Sequence, residues 1–113
     1  MLNQNRFNAY RIMWVMIFFD IPTNTKTQRK AASKFRKDIM SYGFSMFQYS
    51  IYVRHCPSKE NADMHTKRVK GILPKYGKIT IFSITDKQFG QMETFHGKIE
   101  KPTKPGPQQL SLF

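Results

Sequence analysis

The chain has little cysteine, little acid and no long apolar run. Cys56 is its only cysteine, so no disulfide forms within the chain and a reducing compartment is expected. The longest apolar run, residues 12–19, is far shorter than the roughly 20 residues that a membrane-spanning helix needs. It ends at Asp20 without a small-residue cleavage site, which argues against a signal peptide. We therefore expect a cytoplasmic protein with no membrane anchor.

The scarcity of acid leaves a strong positive charge. Seven Asp and Glu residues stand against 19 Lys and Arg residues, which gives a formal net charge of +12. Such an excess predicts a polyanionic partner. Nucleic acid is favoured over a membrane because no predicted helix combines a basic face with a large face of Trp, Phe and Leu. An apolar content of 40% indicates a folded chain, and its length suits one domain.

Asp20 closes the apolar run 12–19, which is typical of a buried strand. Burying a lone carboxylate costs several kcal/mol. We therefore expect Asp20 to lie at the open end of that strand, where its carboxylate is hydrated or binds a cation. Mg²⁺ commonly binds one or two carboxylates together with waters and phosphate oxygens. A second Asp20 across a two-fold axis would complete such a site. In the alternative, Asp20 only accepts backbone hydrogen bonds in the turn at Pro22.

The hydrophobic periodicity predicts an α+β domain. Thr25 and Gln28 form a capping-box pattern, Gly43 suits a helix C′ position, and Ser58 suits an N-cap. The stretch 44–53 reads as a bent strand or as a hairpin broken near Gln48. The predicted order is strand, helix, strand or hairpin, helix, strand, over residues 12–19, 25–42, 44–53, 58–73 and 78–85. A turn or short helix at 86–92 and a short strand at 94–96 would follow.

That order is the split βαβ of ferredoxin-like domains, an antiparallel sheet with two helices on one face. No third helix is expected to cover the other face, and an exposed apolar face of that size usually marks an interface. A homodimer formed through it is the simplest way to bury it. We place the domain at 1–97 and a flexible basic linker with a docking tail at 98–113. The residues assigned to the open face are Trp14, Met16, Phe18, Met46, Tyr52 and Phe82.

The first helix carries a basic face opposite its apolar stripe. A solvated face is the ordinary interpretation of such a run, but only Asp38 offers local neutralisation. We therefore expect contacts with phosphates, which makes binding weakly sequence-specific and strongly salt-dependent. The candidate residues are Lys26, Arg29, Lys30, Lys34 and Lys37.

Seven short motifs follow one another in a fixed order along the chain. They are Phe18-Phe19-Asp20-Ile21-Pro22-Thr23, Arg29-Lys30, Phe35-Arg36-Lys37, Gly43-Phe44, Gln48-Tyr49-Ser50-Ile51-Tyr52, Gly77-Lys78-Ile79-Thr80-Ile81 and Thr85-Asp86-Lys87-Gln88-Phe89. This ordered set resembles the CRISPR-associated protein 2 family, and most of all its members from type II systems. The resemblance covers roughly residues 10–97, and the ordered combination is more specific than any single motif.

The resemblance implies a homodimeric subunit of the spacer-acquisition complex of CRISPR immunity. Such a subunit holds duplex DNA while an integrase inserts new spacers. The family is also associated with Mg²⁺-dependent endonuclease activity on RNA or DNA, and Mn²⁺ is a natural substitute for Mg²⁺. The motif assigns the metal and the catalysis to Asp20. It favours Lys26 and Arg29 for nucleic-acid binding, together with the basic residues after Gly97, which are Lys98, Lys101 and Lys104.

Two other function classes stay open. One is an endoribonuclease whose turnover is the main function. The other is a plain RNA-recognition module, because Gly43-Phe44 and Tyr49 faintly resemble an aromatic RNA-binding strand. Arg54-His55-Cys56 and His65 have no zinc-site spacing, so structural or surface roles are expected for them.

The C-terminal apolar peptide is a candidate for partner docking. An added strand on the integrase subunit is one expectation. The peptide also closely resembles the short motif that docks on the replication sliding clamp. A third expectation is that the peptide adds a strand to the partner chain of its own homodimer. The residues concerned are Gln109, Leu110, Leu112 and Phe113.

Overall fold

A computed structural model describes residues 11–98. They form one four-stranded antiparallel sheet with the strand order β2-β3-β1-β4, and the predicted α+β fold is confirmed. In chain order the elements are β1 (Met13–Asp20), α1 (Lys26–Ser41), β2 (Ser45–Gln48), β3 (Ile51–Cys56), α2 (Lys59–Lys70), β4 (Lys78–Thr85) and α3 (Asp86–Gly90). Within 11–98 no helix is long and apolar enough to cross a membrane.

The core lies between one face of the sheet and the two long helices. Alternate residues of β1, namely Val15, Ile17 and Phe19, point into it. Phe35 and Ile39 of α1 fill the same cluster, and the Phe35 ring packs edge-on against Phe19 with centroids 5.3 Å apart. Because successive strand residues point to opposite sides, this places Trp14, Phe18 and Asp20 on the other face.

The ends of α1 are determined by local hydrogen bonds. The Thr25 hydroxyl accepts from the Gln28 backbone N–H, and the Gln28 side chain accepts from the Thr25 N–H, which confirms the capping box. At the other end Phe44 N–H donates to Ile39 O and Gly43 N–H to Met40 O, at 3.1 and 3.0 Å. This is a Schellman motif, and Gly43 adopts the positive φ of +90° that it requires.

The stretch 44–53 is a hairpin rather than one bent strand. β2 and β3 are joined at Tyr49-Ser50, and Ser50 has a φ of 65° in the left-handed region. A serine tolerates this region less readily than glycine or asparagine, so the turn had no sequence signature. A bulge between Met46 and Gln48 shifts the register of the pair.

The prediction that Tyr52 and Met46 lie on the open face was wrong. Tyr52 is the antiparallel partner of Ile17, so both side chains point toward the helices. Tyr52 is only 1% exposed, and Met46 pairs with it from the edge strand. The face on which a strand residue lies depends on the register of its strand against the neighbouring strand.

The expectation that no third helix covers the open face was also wrong. α3 folds back so that the Phe89 ring stacks on Trp14 with centroids 3.9 Å apart. Trp14 Nε1 donates to Asp86 Oδ1 at 2.7 Å, which fixes the helix in place. The expected strand at 94–96 is absent, since residues 92–97 have no regular structure.

The part of the open face that α3 leaves uncovered is aromatic. Phe18 and Phe82 are 38% and 41% exposed, and their rings lie 5.3 Å apart. We call this pair the Phe18–Phe82 patch. It lies on the same side of the sheet as Asp20, which follows Phe18 by two positions in β1.

Candidate metal and nucleic-acid site

Asp20 is the last residue of β1 and is exposed, as its sequence context predicted. Its cross-strand partner is Lys78, the first residue of β4. Among residues 11–98 nothing donates a hydrogen bond to its carboxylate, and no cation lies within ion-pair distance. The alternative, in which Asp20 is occupied by backbone donors of the Pro22 turn, has no support in these contacts. The carboxylate oxygens are available to an external cation.

A close backbone contact holds the Asp20 segment in position. Gly77 has a φ of +93°, and a Cβ at that position would lie 2.5 Å from the Asp20 carbonyl oxygen and 2.8 Å from Ile21 Cα. Only glycine satisfies both the conformation and the approach. On the other side, Phe19 N–H donates to the Ser50 carbonyl in the hairpin turn at 3.1 Å. Contacts with these two turns therefore fix the position of the end of β1.

A shallow depression of about 340 Å³ opens beside the carboxylate. Its polar lining residues are Asp20, Ser50, Lys78 and Thr80, and Phe18, Phe19 and Ile51 complete the lining. Lys78 was not among the residues predicted for this site. Its place beside Asp20 follows from the pairing of β1 with β4, which local sequence patterns do not reveal.

The chain supplies one carboxylate, that of Asp20, to this depression. No group of three His, Cys, Asp or Glu side chains that would hold a metal occurs within the described residues. Mg²⁺ commonly takes one or two carboxylates and completes its octahedron with water and phosphate oxygens. An unengaged carboxylate in an open depression therefore fits as one ligand, and the site of a single chain is incomplete.

The predicted cations of α1 are all exposed, but they are not equivalent. Arg29 Nη1 donates to the carbonyls of Thr23 and Asn24 at 3.0 and 3.4 Å, so it braces the loop that leads from Asp20 to the helix. Lys34 forms a 2.9 Å ion pair with Asp38. Such an exposed pair contributes about 0.3–0.5 kcal/mol. Neither an ion pair nor a side-chain hydrogen bond among residues 11–98 engages the other three cations, Lys26, Lys30 and Lys37.

Most of the remaining predicted residues lie at the C-terminus. Lys98 is exposed and is the last residue described. The other C-terminal candidates lie outside the described residues, and the predictions for them stand as predictions. They are Lys101, Lys104, Gln109, Leu110, Leu112 and Phe113.

The aromatic and sulfur candidates have structural positions. Phe44 is 3% exposed and belongs to the core, so it offers no face to an RNA base. Cys56 is fully buried, and burial raises the pKa of its thiol, with the nearby Arg54 acting in the opposite direction. The His55 ring packs edge-on against Trp14 at 5.1 Å. The expectation of structural roles for this segment agrees with these contacts.

Comparison with known proteins identifies relatives of the chain. The family model described as CRISPR associated protein Cas2 matches residues 13–92. A protein of Flavobacterium psychrophilum named CRISPR-associated endoribonuclease Cas2 is 56% identical over 108 residues, which cover 96% of this chain and 94% of that protein. A protein of the same name from Parvibaculum lavamentivorans is 48% identical over 101 residues, covering 89% and 100%.

A solved structure has the same fold. It is described as a crystal structure of cas2 and superposes with a TM-score of 0.53 at 18% sequence identity. The superposition covers 85% of this chain and 99% of the other. At this identity the likeness supports the fold alone.

Proposed function

This chain belongs to the CRISPR-associated protein Cas2 family and has a CRISPR-associated role, and from that premise we propose that it binds duplex DNA in spacer acquisition. In this proposal a homodimer holds the DNA and scaffolds an integrase that inserts new spacers. The observation that carries it is the exposed cationic side of α1, where only Lys34 has an acidic partner among the described residues. Phosphates of a duplex are the polyanion such a surface fits.

Dimerisation would occur through the Phe18–Phe82 patch. Two aromatic rings that are each about two-fifths exposed are costly to leave in water, and a two-fold axis through the patch buries both copies. Because Asp20 lies on the same side of the sheet, that axis would also bring two Asp20 carboxylates toward each other. The cationic α1 helices of the two chains would then form one continuous basic surface.

The paired carboxylates would hold Mg²⁺ or Mn²⁺ between the protomers. When bound, the metal supplies Lewis-acid activation of a water for phosphodiester hydrolysis. Asp20 contributes carboxylate oxygens to the metal, and Lys78 offers its ammonium group to a phosphate at the same edge.

Salt-dependent DNA binding tests the proposal most simply. We expect the variant K26Q/K30Q/K37Q to lose affinity for a duplex oligonucleotide, with the slope of log K against log salt falling by about 2–3. The matched control K59Q/K67Q/K70Q removes the same charge from exposed positions of α2. Fluorescence anisotropy over a salt series measures both. Equal losses in the two variants would contradict a DNA surface on α1.

An endoribonuclease is the second candidate. The relatives named above carry that description, and Asp20 has an unengaged carboxylate beside an open depression. Asp20→Asn separates the two functions because it removes the charge while keeping the shape. Under the scaffold proposal the variant still supports spacer acquisition and DNA binding. Loss of acquisition together with loss of RNA cleavage would favour the enzyme.

The integrase would be the partner of the C-terminal peptide, with the sliding clamp as the second choice. Deleting residues 108–113 and measuring binding to each protein separately decides between them. Unchanged binding to both would remove a docking role for the peptide.

A further inference from the structure

Four buried polar atoms of β3 and α2 have no hydrogen-bond partner among residues 11–98. They are Tyr52 Oη, Arg54 Nε, Asn61 Oδ1 and His65 Nδ1. Folded proteins leave few such atoms, and each calls for an explanation such as a bound water or ion. Arg54 Nε is a donor, and Tyr52 Oη and His65 Nδ1 are each able to donate. Only Asn61 Oδ1 cannot donate, so three of the four atoms lack an acceptor.

Arg54 is held in this position by the strand register and by Gly43. It pairs with Val15, so its side chain enters the layer between the sheet and the helices. Its guanidinium lies against Gly43, where any Cβ would collide with Nη1. No hydrogen bond or ion pair of the described residues engages this guanidinium.

His65 and Arg68 face the same region from α2. His65 is 3% exposed, and Arg68 lies over the Tyr42 ring at 4.1 Å from its centroid. Burial lowers the pKa of His65, and the positive charges of Arg54 and then Arg68 lower it further. Arg36 of α1 acts on the neighbouring Tyr52. Cations thus approach from three elements, and no carboxylate among residues 11–98 pairs with them.

We propose that Arg54, His65 and Arg68 form a binding site for a phosphate group. A phosphate offers several acceptor oxygens and a negative charge, which satisfies the unpaired donors and neutralises the guanidinium groups. Arg54 and His65 bind from the buried side, and the exposed Arg68 closes over the group from α2. The site is separate from Asp20 and does not depend on the proposed function. Its phosphate is either inorganic or part of a nucleic-acid backbone.

The imidazole of His65 is a built-in reporter of occupancy. We expect sodium phosphate to shift the His65 side-chain NMR signals in a saturable manner, compared with sodium chloride at equal ionic strength. The pKa of His65 should rise at the same time, because an adjacent anion favours the imidazolium. A His65 signal that behaves identically in the two salts would overturn the proposal and indicate water as the occupant.

Two variants and a control locate the site. Arg68→Gln, at an exposed position, should weaken phosphate binding about tenfold or more while the chain stays folded. Arg54→Lys keeps a charge but loses the guanidinium fork, and should weaken it comparably. Lys67→Gln removes a neighbouring exposed charge and should leave binding unchanged. A response that persists in both arginine variants would contradict the assignment.

Duplex DNA distinguishes the two sources of phosphate. If the site takes a backbone phosphate, Arg68→Gln reduces the salt slope of DNA binding by about one, and the duplex competes with inorganic phosphate. If it takes a free phosphate, the slope is unchanged and the His65 response persists when DNA is bound.

Discussion

Strand β1 presents two faces that differ in what they contribute. Val15, Ile17 and Phe19 are buried against the helices and connect all the large elements of the fold. On the other face of the strand, Trp14 is stacked under the small helix α3, and Phe18 and Asp20 are exposed. The same strand therefore supplies the core on one side and the candidate site on the other.

The difference teaches where substitutions should affect stability and where they should affect function. On the covered face each side chain is enclosed by neighbours, so lost volume leaves a cavity. On the open face α3 is the described element that packs over the strand, and the candidate site uses atoms that no residue of 11–98 engages. We expect the two faces to respond to mutation in separable ways.

The largest expected effect is on the covered face. Ile17→Ala should lower the free energy of unfolding by about 2–5 kcal/mol, because the side chain is fully buried. Phe18→Ala, at the next position on the opposite face, is the matched control and should lower the free energy of unfolding by less. If two chains pair through this face, the loss in Phe18→Ala should increase with protein concentration. Urea unfolding at two protein concentrations measures both. Equal, concentration-independent losses would remove the distinction between the faces.

The next largest effect concerns the backbone contact between Gly77 and the end of β1. Gly77→Ala forces a side chain into the left-handed region against the Asp20 carbonyl, so a loss of about 1–3 kcal/mol is expected. Gly90→Ala is the matched control, since a Cβ there meets nothing within 4 Å. Thermal unfolding compares the two, and amide chemical shifts of Asp20 and Ile21 report the displacement. Similar stability of both variants would show that the contact is not constraining.

The smallest effect is confined to acid pH and to the covered layer. In the folded chain the pKa of His65 is lowered from its ordinary value of 6.5. As the pH falls through 6.5, His65 therefore binds a proton in the unfolded chain before it does so in the folded chain. Stability should therefore decrease on the acid side of that value, down to the folded pKa. His65→Gln should lose this component, whereas His96→Gln, at an exposed position, should keep it. Urea unfolding between pH 7.5 and about 5 tests the difference.

The elements with local signals were predictable from the sequence. The capping box at Thr25, the αL glycine at 43 and the N-cap at Ser58 each satisfy backbone groups within a few residues. The exposure of Asp20 was predictable because burying a lone carboxylate at the end of an apolar strand is energetically unfavourable.

The errors came from contacts that are distant in sequence. Which face Tyr52 occupies depends on its register against Ile17, and a shift by one residue reverses it. The cover over Trp14 depends on Asp86 and Phe89, which lie far along the chain. The place of Lys78 beside Asp20 also follows from strand pairing, as does the cluster around His65, which local patterning does not reveal.

The central claim is that two chains pair through the open face of the sheet and bind a duplex together. Sedimentation velocity of the full chain at micromolar concentration, with and without a duplex oligonucleotide, tests it most directly. We expect a species of twice the 13.4 kDa chain mass without DNA, and two chains per duplex with it. Only single chains of 13.4 kDa in both conditions would contradict the account.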